Sequence, residues 1–144
     1  MTLLVTGGTG FVMSVVAKAW LDRSEVARAV ILDRAEPDAA AKKFFAAYAD
    51  RVSFIVADVR DPGAWAPQLA SHGVTAVVHG ATITPISRGT AAEAAREPEA
   101  EDPARIVDVN LMGTVRVLDW ARQQQGLGRF VYVSSGAVYR NHGP

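Results

Sequence analysis

The sequence contains no cysteine among its 144 residues. This absence excludes disulfide bonds, thiolate metal sites and cysteine nucleophiles, and it is compatible with a reducing compartment, so we expect a cytoplasmic protein. The sequence also has no excess charge of either sign, because 15 Lys and Arg residues balance 15 Asp and Glu residues. Zero net charge argues against a nucleic-acid partner.

Long apolar runs and dense basic clusters are missing as well. The first six residues have no basic leader and only a short apolar run before Gly7, which predicts neither a signal peptide nor a membrane-spanning helix. No cluster of Lys and Arg suggests a membrane anchor. We therefore expect one globular domain over residues 1–144 whose partner is a small molecule, with neither nucleic acid nor membrane involved.

Short apolar runs that end in glycine or polar residues predict five buried strands. These strands cover residues 3–5, 29–32, 52–57, 75–79 and 130–134. Stretches of helical periodicity alternate with them. Helices are predicted from 11 to 20, from 38 to 48, from 64 or 65 to 71–73, and from 103 until Gly126 and Gly128 stop the last one. Residues 81–101 should form a loop.

Two of these helices carry apolar residues at helical spacing, which predicts the face that packs on a sheet. For the first helix the predicted stripe is Phe11, Val12, Val15, Val16, Ala19 and Trp20. For the last helix it is Val107, Leu111, Val115, Leu118 and Ala121.

Alternating strands and helices imply right-handed crossovers and an α/β fold with a doubly wound parallel sheet of order 3-2-1-4-5. Ligands then bind where strands one and four part. Strand five would be a sheet edge, with Phe130, Tyr132 and Val133 on an open face, so we expect such a piece to associate.

Glycines fill the junction between the first strand and the first helix, in the segment from Thr6 to Met13. Gly7 and Gly10 permit a tight turn, and the amides of Phe11 and Val12 at the helix N-terminus suit a pyrophosphate. An ordinary glycine-rich turn is the alternative interpretation.

This segment resembles the TGxxGxxG fingerprint of the extended short-chain dehydrogenase/reductases, the NAD-dependent epimerase/dehydratase group. The resemblance implies a Rossmann-type fold, NAD as cofactor, and a sugar, sugar-nucleotide or sugar-acid substrate. Met13 stands where the family has its third glycine, so we predict that the first helix is displaced. If Met13 pointed at the pyrophosphate instead, cofactor affinity should be low.

Asp33 ends strand two at the distance expected for a carboxylate that binds the adenosine ribose. A 2′-phosphate beside it would be repelled, which favours NAD over NADP, although Arg34 would partly offset the repulsion. The alternative is an Asp that only caps its own turn.

Further positions take roles from the resemblance. Asp58 and Val59 would contact adenine, with Asp58 bonding its own turn as the alternative. The segment after strand four, with Gly80, Ala81 and Thr82, would lie against the ribose and diphosphate. Asn110 and Ser134 would complete the cofactor site. The residues expected to contact the cofactor are Gly7, Gly10, Phe11, Val12, Asp33, Arg34, Asp58, Val59, Gly80, Ala81, Thr82, Asn110 and Ser134.

The catalytic Ser or Thr of the family falls on Ser135, which would hydrogen-bond the reacting substrate oxygen. The family's general base is a Tyr with a Lys four residues later, and this pair is absent, because Gly143 follows Tyr139 at that spacing. His79 is interpreted as a hydrogen-bonded structural residue rather than a catalytic one. The acidic run 97–102 is interpreted as a solvated loop, and no metal site is predicted.

These observations predict an NAD-dependent epimerase, dehydratase or dehydrogenase of the oxidoreductase class that acts by hydride transfer at a substrate hydroxyl carbon. We expect the chain to be its cofactor-binding half, truncated after strand five, without a C-terminal substrate domain and inactive alone. A full-length protein should be a homodimer. The alternative is a non-catalytic dinucleotide-binding regulatory or scaffold protein.

Overall fold

The computed structural model describes residues 1–83 and 102–135, and these residues contain one parallel sheet. Its order, β3-β2-β1-β4-β5, confirms the predicted topology. Val5 at the centre is aligned with Ile31 on one side and Val78 on the other. The strands are β1 (Thr2–Thr6), β2 (Arg28–Asp33), β3 (Val52–Val56), β4 (Val74–His79) and β5 (Arg129–Tyr132).

Helices cover both faces of the sheet, so that apolar side chains form one core on each side. In the described ranges, no helix has the length and apolar character needed to cross a bilayer. The helical elements are α1 (Phe11–Leu21), α2 (Ala39–Phe44), a 3₁₀ turn (Ala46–Tyr48), α3 (Pro62–Leu69), α4 (Pro103–Val107), a π-helical segment (Asp108–Gly113) and α5 (Thr114–Arg122).

The face of α1 that packs on the sheet differs from the predicted one. Met13, Ala17 and Leu21 are buried, and only Val16 and Trp20 of the predicted stripe pack against the core. Because α1 is apolar on almost every side, spacing alone does not specify its buried face; the glycine turn that precedes the helix sets its rotation. The exposed members of the predicted stripe are Phe11, Val12, Val15 and Ala19.

The last helix also presents a different face from the predicted one. Gly113, Val117 and Ala121 are buried. Ala121 is the one predicted residue among them. A π-helical turn holds more residues than an α-helical turn, so the apolar spacing before and after it does not belong to one continuous stripe. The exposed members of the predicted stripe are Val107, Leu111, Val115 and Leu118.

The predicted start of α3 at 64 or 65 was wrong. The helix begins at Pro62, because Asp61 caps it by accepting a hydrogen bond from the Ala64 amide at 3.3 Å. Pro at the first helical position fits this arrangement. Pro67 consequently lies in the second turn, and the helix ends soon afterwards, at Leu69 rather than at 71–73.

The predicted second helix was too long. Asp38 caps α2 through a 2.7 Å bond from the Ala41 amide, but α2 ends at Phe44 and a 3₁₀ turn follows. The change of helix type lets Phe45 enter the core, where it is 1% exposed, while Phe44 stays 39% exposed.

Within residues 1–83 and 102–135, strand β5 is an edge of the sheet, and its open face is as predicted at Tyr132 and Val133 but not at Phe130, which is partly buried and packs against the core. Val131, Tyr132 and Val133 are between 42% and 53% exposed. The strand ends at Tyr132 rather than Ser134, although the Val133 amide still donates to the His79 carbonyl at 2.9 Å.

Candidate functional site

The turn after β1 is held between the ends of two neighbouring strands. The Gly7 amide donates to the Leu32 carbonyl at 2.9 Å on the β2 side. On the β4 side, a Cβ at Gly7 would lie 2.9 Å from the Ala81 Cα, and Gly7 has a φ of 71°. A Cβ at Gly8 would lie 2.7 Å from the Ile31 side chain. Both positions therefore require glycine.

The N-terminus of α1 points out of this turn without a side-chain cap. Gly10 is the N-cap, its amide donates to the Gly7 carbonyl at 3.1 Å, and the first helical turn contains no acidic residue. The amides of Phe11 and Val12 have no partner within the helix. An anion placed here would meet donor groups and the positive end of the helix dipole.

Met13 points into the core rather than toward the end of the helix. It is 6% exposed and belongs to the core cluster that contains Leu3 and Val5. Its thioether lies over Gly80, where an added Cβ would be 2.2 Å from Sδ. The hypothesis that Met13 points at a pyrophosphate was therefore wrong, and the displacement of α1 stays a prediction.

Asp33 fixes the glycine turn from the end of β2. Its Oδ2 accepts hydrogen bonds from the Thr9 amide at 3.0 Å and the Thr9 hydroxyl at 2.6 Å. Its Oδ1 accepts from the Ala35 amide at 3.1 Å, which is the local turn bond that we kept as the alternative. Sequence reasoning missed Thr9, although its position among the glycines was visible.

Asp58 is the centre of a charged network. Its carboxylate accepts from the Arg60 amide at 2.9 Å and from two nitrogens of the Arg60 guanidinium at 3.0 and 2.9 Å. These hydrogen bonds from Arg60 lower the pKa of Asp58. The alternative that Asp58 bonds its own turn is thus realised, with one acceptor position of Oδ2 left over.

The same network reaches the π-helical segment. Asp108 accepts from Arg60 at 3.3 Å and from Arg116 at 2.9 Å, and the bond from Arg116 is the main cause that lowers the pKa of Asp108. Sequence reasoning missed these residues, because no local pattern indicates a bridge between positions that lie 48 apart in the chain.

His79 is fully buried and linked at both ring nitrogens, as its structural interpretation requires. Nδ1 lies 2.7 Å from the Thr6 hydroxyl and Nε2 lies 3.0 Å from the Thr114 hydroxyl. Thr114 donates its proton to the Asn110 carbonyl at 2.7 Å, so Nε2 must donate to Thr114. Thr6 then donates to Nδ1, while its oxygen accepts from the Ala81 amide at 3.1 Å.

Burial gives this histidine its protonation state. It lowers the pKa of His79 to about 4, so the ring is neutral at physiological pH. The rings of Phe130 and Tyr132, with centroids 6.2 and 6.0 Å from that of His79, help to exclude water on the β5 side.

Asn110 holds the segment that follows β4. Its Oδ1 accepts from the Ile83 amide at 2.7 Å, and its Nδ2 donates to the Ile83 carbonyl at 2.9 Å. The side chain of Asn110 therefore pairs with both backbone polar groups of Ile83, as a neighbouring strand would. Because Asn110 lies in the π-helical segment, the irregular turn carries the contact that fixes one wall of the site.

A cleft of about 610 Å³, including its open mouth, lies at the carboxyl ends of the strands. Its lining combines predicted residues, namely Arg34, Asp58, Val59, Ala81 and Thr82, with the unpredicted residues Ile83, Arg105 and Val109.

Ser134 and Ser135 follow β5, and both are exposed at the same edge of the sheet. They do not line the cleft. Tyr139, Gly143 and most of the acidic run 97–102 lie outside the described residues, as does nearly all of the expected loop. Within 1–83 and 102–135, no group of three or more His, Asp or Glu side chains is placed to hold a metal ion.

The sequence matches a known protein family. The model of the NAD dependent epimerase/dehydratase family matches residues 3–144. The chain therefore belongs to the NAD-dependent epimerase/dehydratase family, as the glycine motif suggested.

Individual relatives resemble the chain over most of its length. An uncharacterized oxidoreductase of Schizosaccharomyces pombe is 31% identical over 139 residues, and the dTDP-L-rhamnose 4-epimerase of Burkholderia thailandensis is 29% identical over 140. These alignments cover 96% and 95% of this chain.

A solved structure extends the likeness to three dimensions. The UDP-glucose-4-epimerase of Stenotrophomonas maltophila, with bound NAD and formylated UDP-arabinopyranose, superimposes with a TM-score of 0.76 at 26% identity over 100% of this chain. The chain spans 38%, 35% and 40% of the lengths of these three proteins.

Proposed function

We propose that the protein binds NAD across the turn between β1 and α1 and serves an enzyme that oxidises a hydroxyl of a sugar nucleotide. The observation that carries this proposal is the glycine turn itself, in which a Cβ at Gly7 would collide with Ala81. Family membership supports the same function. Bound NAD would supply the acceptor for a hydride from the substrate carbon.

The pyrophosphate would lie at the start of α1. Gly7 and Gly10 keep side chains away from it, and the amides of Phe11 and Val12 would donate hydrogen bonds. The lack of an acidic residue in the first helical turn supports this role, because a carboxylate there would repel the phosphates.

The adenosine half would lie toward β2 and β3. Asp33 would accept a hydrogen bond from the ribose through the remaining capacity of Oδ1, since Thr9 already uses Oδ2. Its negative charge would disfavour a 2′-phosphate, so we expect NAD rather than NADP, with Arg34 reducing the difference. Asp58 and Val59 would contact the adenine.

The nicotinamide half and the substrate would lie toward β4 and β5. We propose that Gly80, Ala81, Thr82 and Ser134 contact the cofactor, and that Asn110 acts by holding the segment at Ile83.

Ser135 would donate a hydrogen bond to the reacting substrate oxygen, whose proton would pass to a general base, which in the family is a Tyr. The exposure of Ser135 at the carboxyl edge supports this assignment.

Names of relatives suggest the substrate class, since two of them act on dTDP- or UDP-linked sugars. We propose a sugar nucleotide for this protein as well, without choosing between epimerase, dehydratase and dehydrogenase. We also propose that the full-length protein is a homodimer, because the π-helical segment and α5 expose Leu111, Val115 and Leu118 to solvent. The cytoplasmic location stays a prediction.

The experiment is to incubate the intact protein with NAD and a panel of UDP-, dTDP- and GDP-linked sugars, and to identify products by mass spectrometry and NMR. We expect an NAD-dependent conversion that Ser135→Ala slows by about 10²–10⁴-fold, and that Ser71→Ala in the exposed turn after α3 leaves unchanged. NAD binding without conversion of any sugar would favour the non-catalytic alternative, and absence of NAD binding would contradict the proposal.

A further inference from the structure

Two guanidinium groups line the cleft without a direct acidic partner. Among the described residues, Arg105 of α4 forms no ion pair and no side-chain hydrogen bond, and Arg34 acts on Asp58 only through space. Arg60 and Arg116 differ, because Asp58 and Asp108 pair with them directly. The cleft therefore contains cationic donors that the described fold does not use.

The remaining walls of the cleft show which kind of ligand these donors suit. Val59, Ile83 and Val109 provide apolar surface. Asp58 has one acceptor position left after it has bound Arg60. A purine matches this set, because its faces are aromatic, its ring nitrogens accept hydrogen bonds and an exocyclic amino group donates.

The position of Arg105 favours the base over the phosphates. The glycine turn, the start of α1 and Asp33 do not line this cleft. In the proposed binding mode, those elements hold the pyrophosphate and the ribose. Arg105 instead shares the cleft with Asp58 and Val59, the residues proposed to contact the adenine, and Ala81 and Thr82 of the cofactor site border the same space.

We propose that Arg105 is a purine-binding residue, which stacks on or hydrogen-bonds the adenine of the dinucleotide. This inference rests on the proposed function. It makes α4, a helix connected in sequence to the segment after β4, part of the cofactor site, and it adds a contact that the glycine motif does not indicate. Arg34 contributes a second cation from the loop after β2.

The test compares NAD, adenosine and nicotinamide mononucleotide as ligands in calorimetric titrations of the intact protein. Adenosine carries the adenine without a charged group, and nicotinamide mononucleotide carries a phosphate but no adenine. We expect Arg105→Ala to weaken the binding of NAD and of adenosine by the same factor, about tenfold, and to leave the affinity for nicotinamide mononucleotide unchanged. Arg105→Lys should recover little, because an ammonium lacks the planar face of a guanidinium.

Arg129→Ala is the matched control, since it removes the same charge from an exposed position at the start of β5, away from the carboxyl ends. It should leave all three affinities unchanged. Unaltered adenosine binding in Arg105→Ala, full recovery in Arg105→Lys, or an equal loss in Arg129→Ala would overturn the inference. If the parent protein binds adenosine but not NAD, the proposed function fails, while an Arg105-dependent adenosine site stands.

Discussion

The thioether of Met13 lies in the space that a side chain at position 80 would otherwise fill. A Cβ built on Gly80 would be 2.2 Å from Sδ and 2.7 Å from Cγ of Met13. A large residue on α1 thus faces the smallest residue at the end of β4. Because protein interiors are close-packed, the two positions should depend on each other.

Gly80→Ala tests this dependence. We expect the added methyl group to reduce the free energy of unfolding by about 1–3 kcal/mol through overpacking, as measured by urea denaturation. Met13→Ala should remove most of that penalty in the double variant, although it costs stability by itself through a cavity. Additive effects of the two substitutions would show that the residues do not interact.

His79 should make the protein sensitive to mild acid. Its pKa is about 4 in the folded protein, against an ordinary value of 6.5. As the pH falls from 6.5 toward 4, the unfolded chain binds a proton that the folded protein does not bind. The free energy of unfolding should therefore fall over this window by roughly 3 kcal/mol in total, measured as urea denaturation at successive pH values.

Two histidine variants separate this effect from other titrations. His79→Gln is expected to be less stable at neutral pH but to show a flatter pH profile in that window. His72→Gln is the matched control, because it makes the same substitution at a partly exposed position on the loop before β4. The lowered pKa values of Asp58 and Asp108 act below this window, where those carboxylates become protonated. An unchanged slope in His79→Gln would contradict the assignment.

Thr9 should matter for both the turn and the ligand. Thr9→Val keeps the shape of the side chain but removes the hydroxyl that donates to Asp33 at 2.6 Å. Hydrogen bonds to a charged group contribute about 1.5–3 kcal/mol, so we expect a loss of stability in that range and a weaker NAD affinity. Thr9→Ser, which retains the donor, should preserve both. If Thr9→Val bound NAD as tightly as the parent protein does, Thr9 would not be part of the proposed site.

The exposed apolar residues of the π-helical segment and α5 predict an interface. Leu111 and Leu118 are 58% and 43% exposed, so Leu118→Glu should be tolerated by a monomer but should break a dimer that buries this surface. Light scattering of the full-length protein measures the outcome. A dimer of the same affinity in the variant would place the interface elsewhere.

The strands and the glycine turn could be predicted from the sequence because both depend on local signals, and the strand order followed from the alternation of strands with helices. A strand buried on both faces must be an unbroken apolar run, and a turn that approaches another backbone must be glycine. Gly7 and Asp33 accordingly lie where the motif placed them, at the ends of β1 and β2.

The packing faces and the polar networks could not be predicted in this way. An apolar set such as Phe11 and Val12 fits helical spacing equally well on a buried or an exposed face, and a π-helical turn leaves no simple mark on periodicity. Contacts such as Arg60 with Asp108 join distant parts of the chain. They arise only once β3 and the helices at residues 103–122 have been brought together.

An NMR titration with NAD tests the central claim most directly, because it reports on the individual amides of the isotope-labelled protein. We predict saturable shifts, largest at the amides of Gly7, Gly10, Phe11 and Val12, where the pyrophosphate would bind. The absence of saturable shifts at these amides with millimolar NAD, in a protein whose spectrum is well dispersed, would contradict the account.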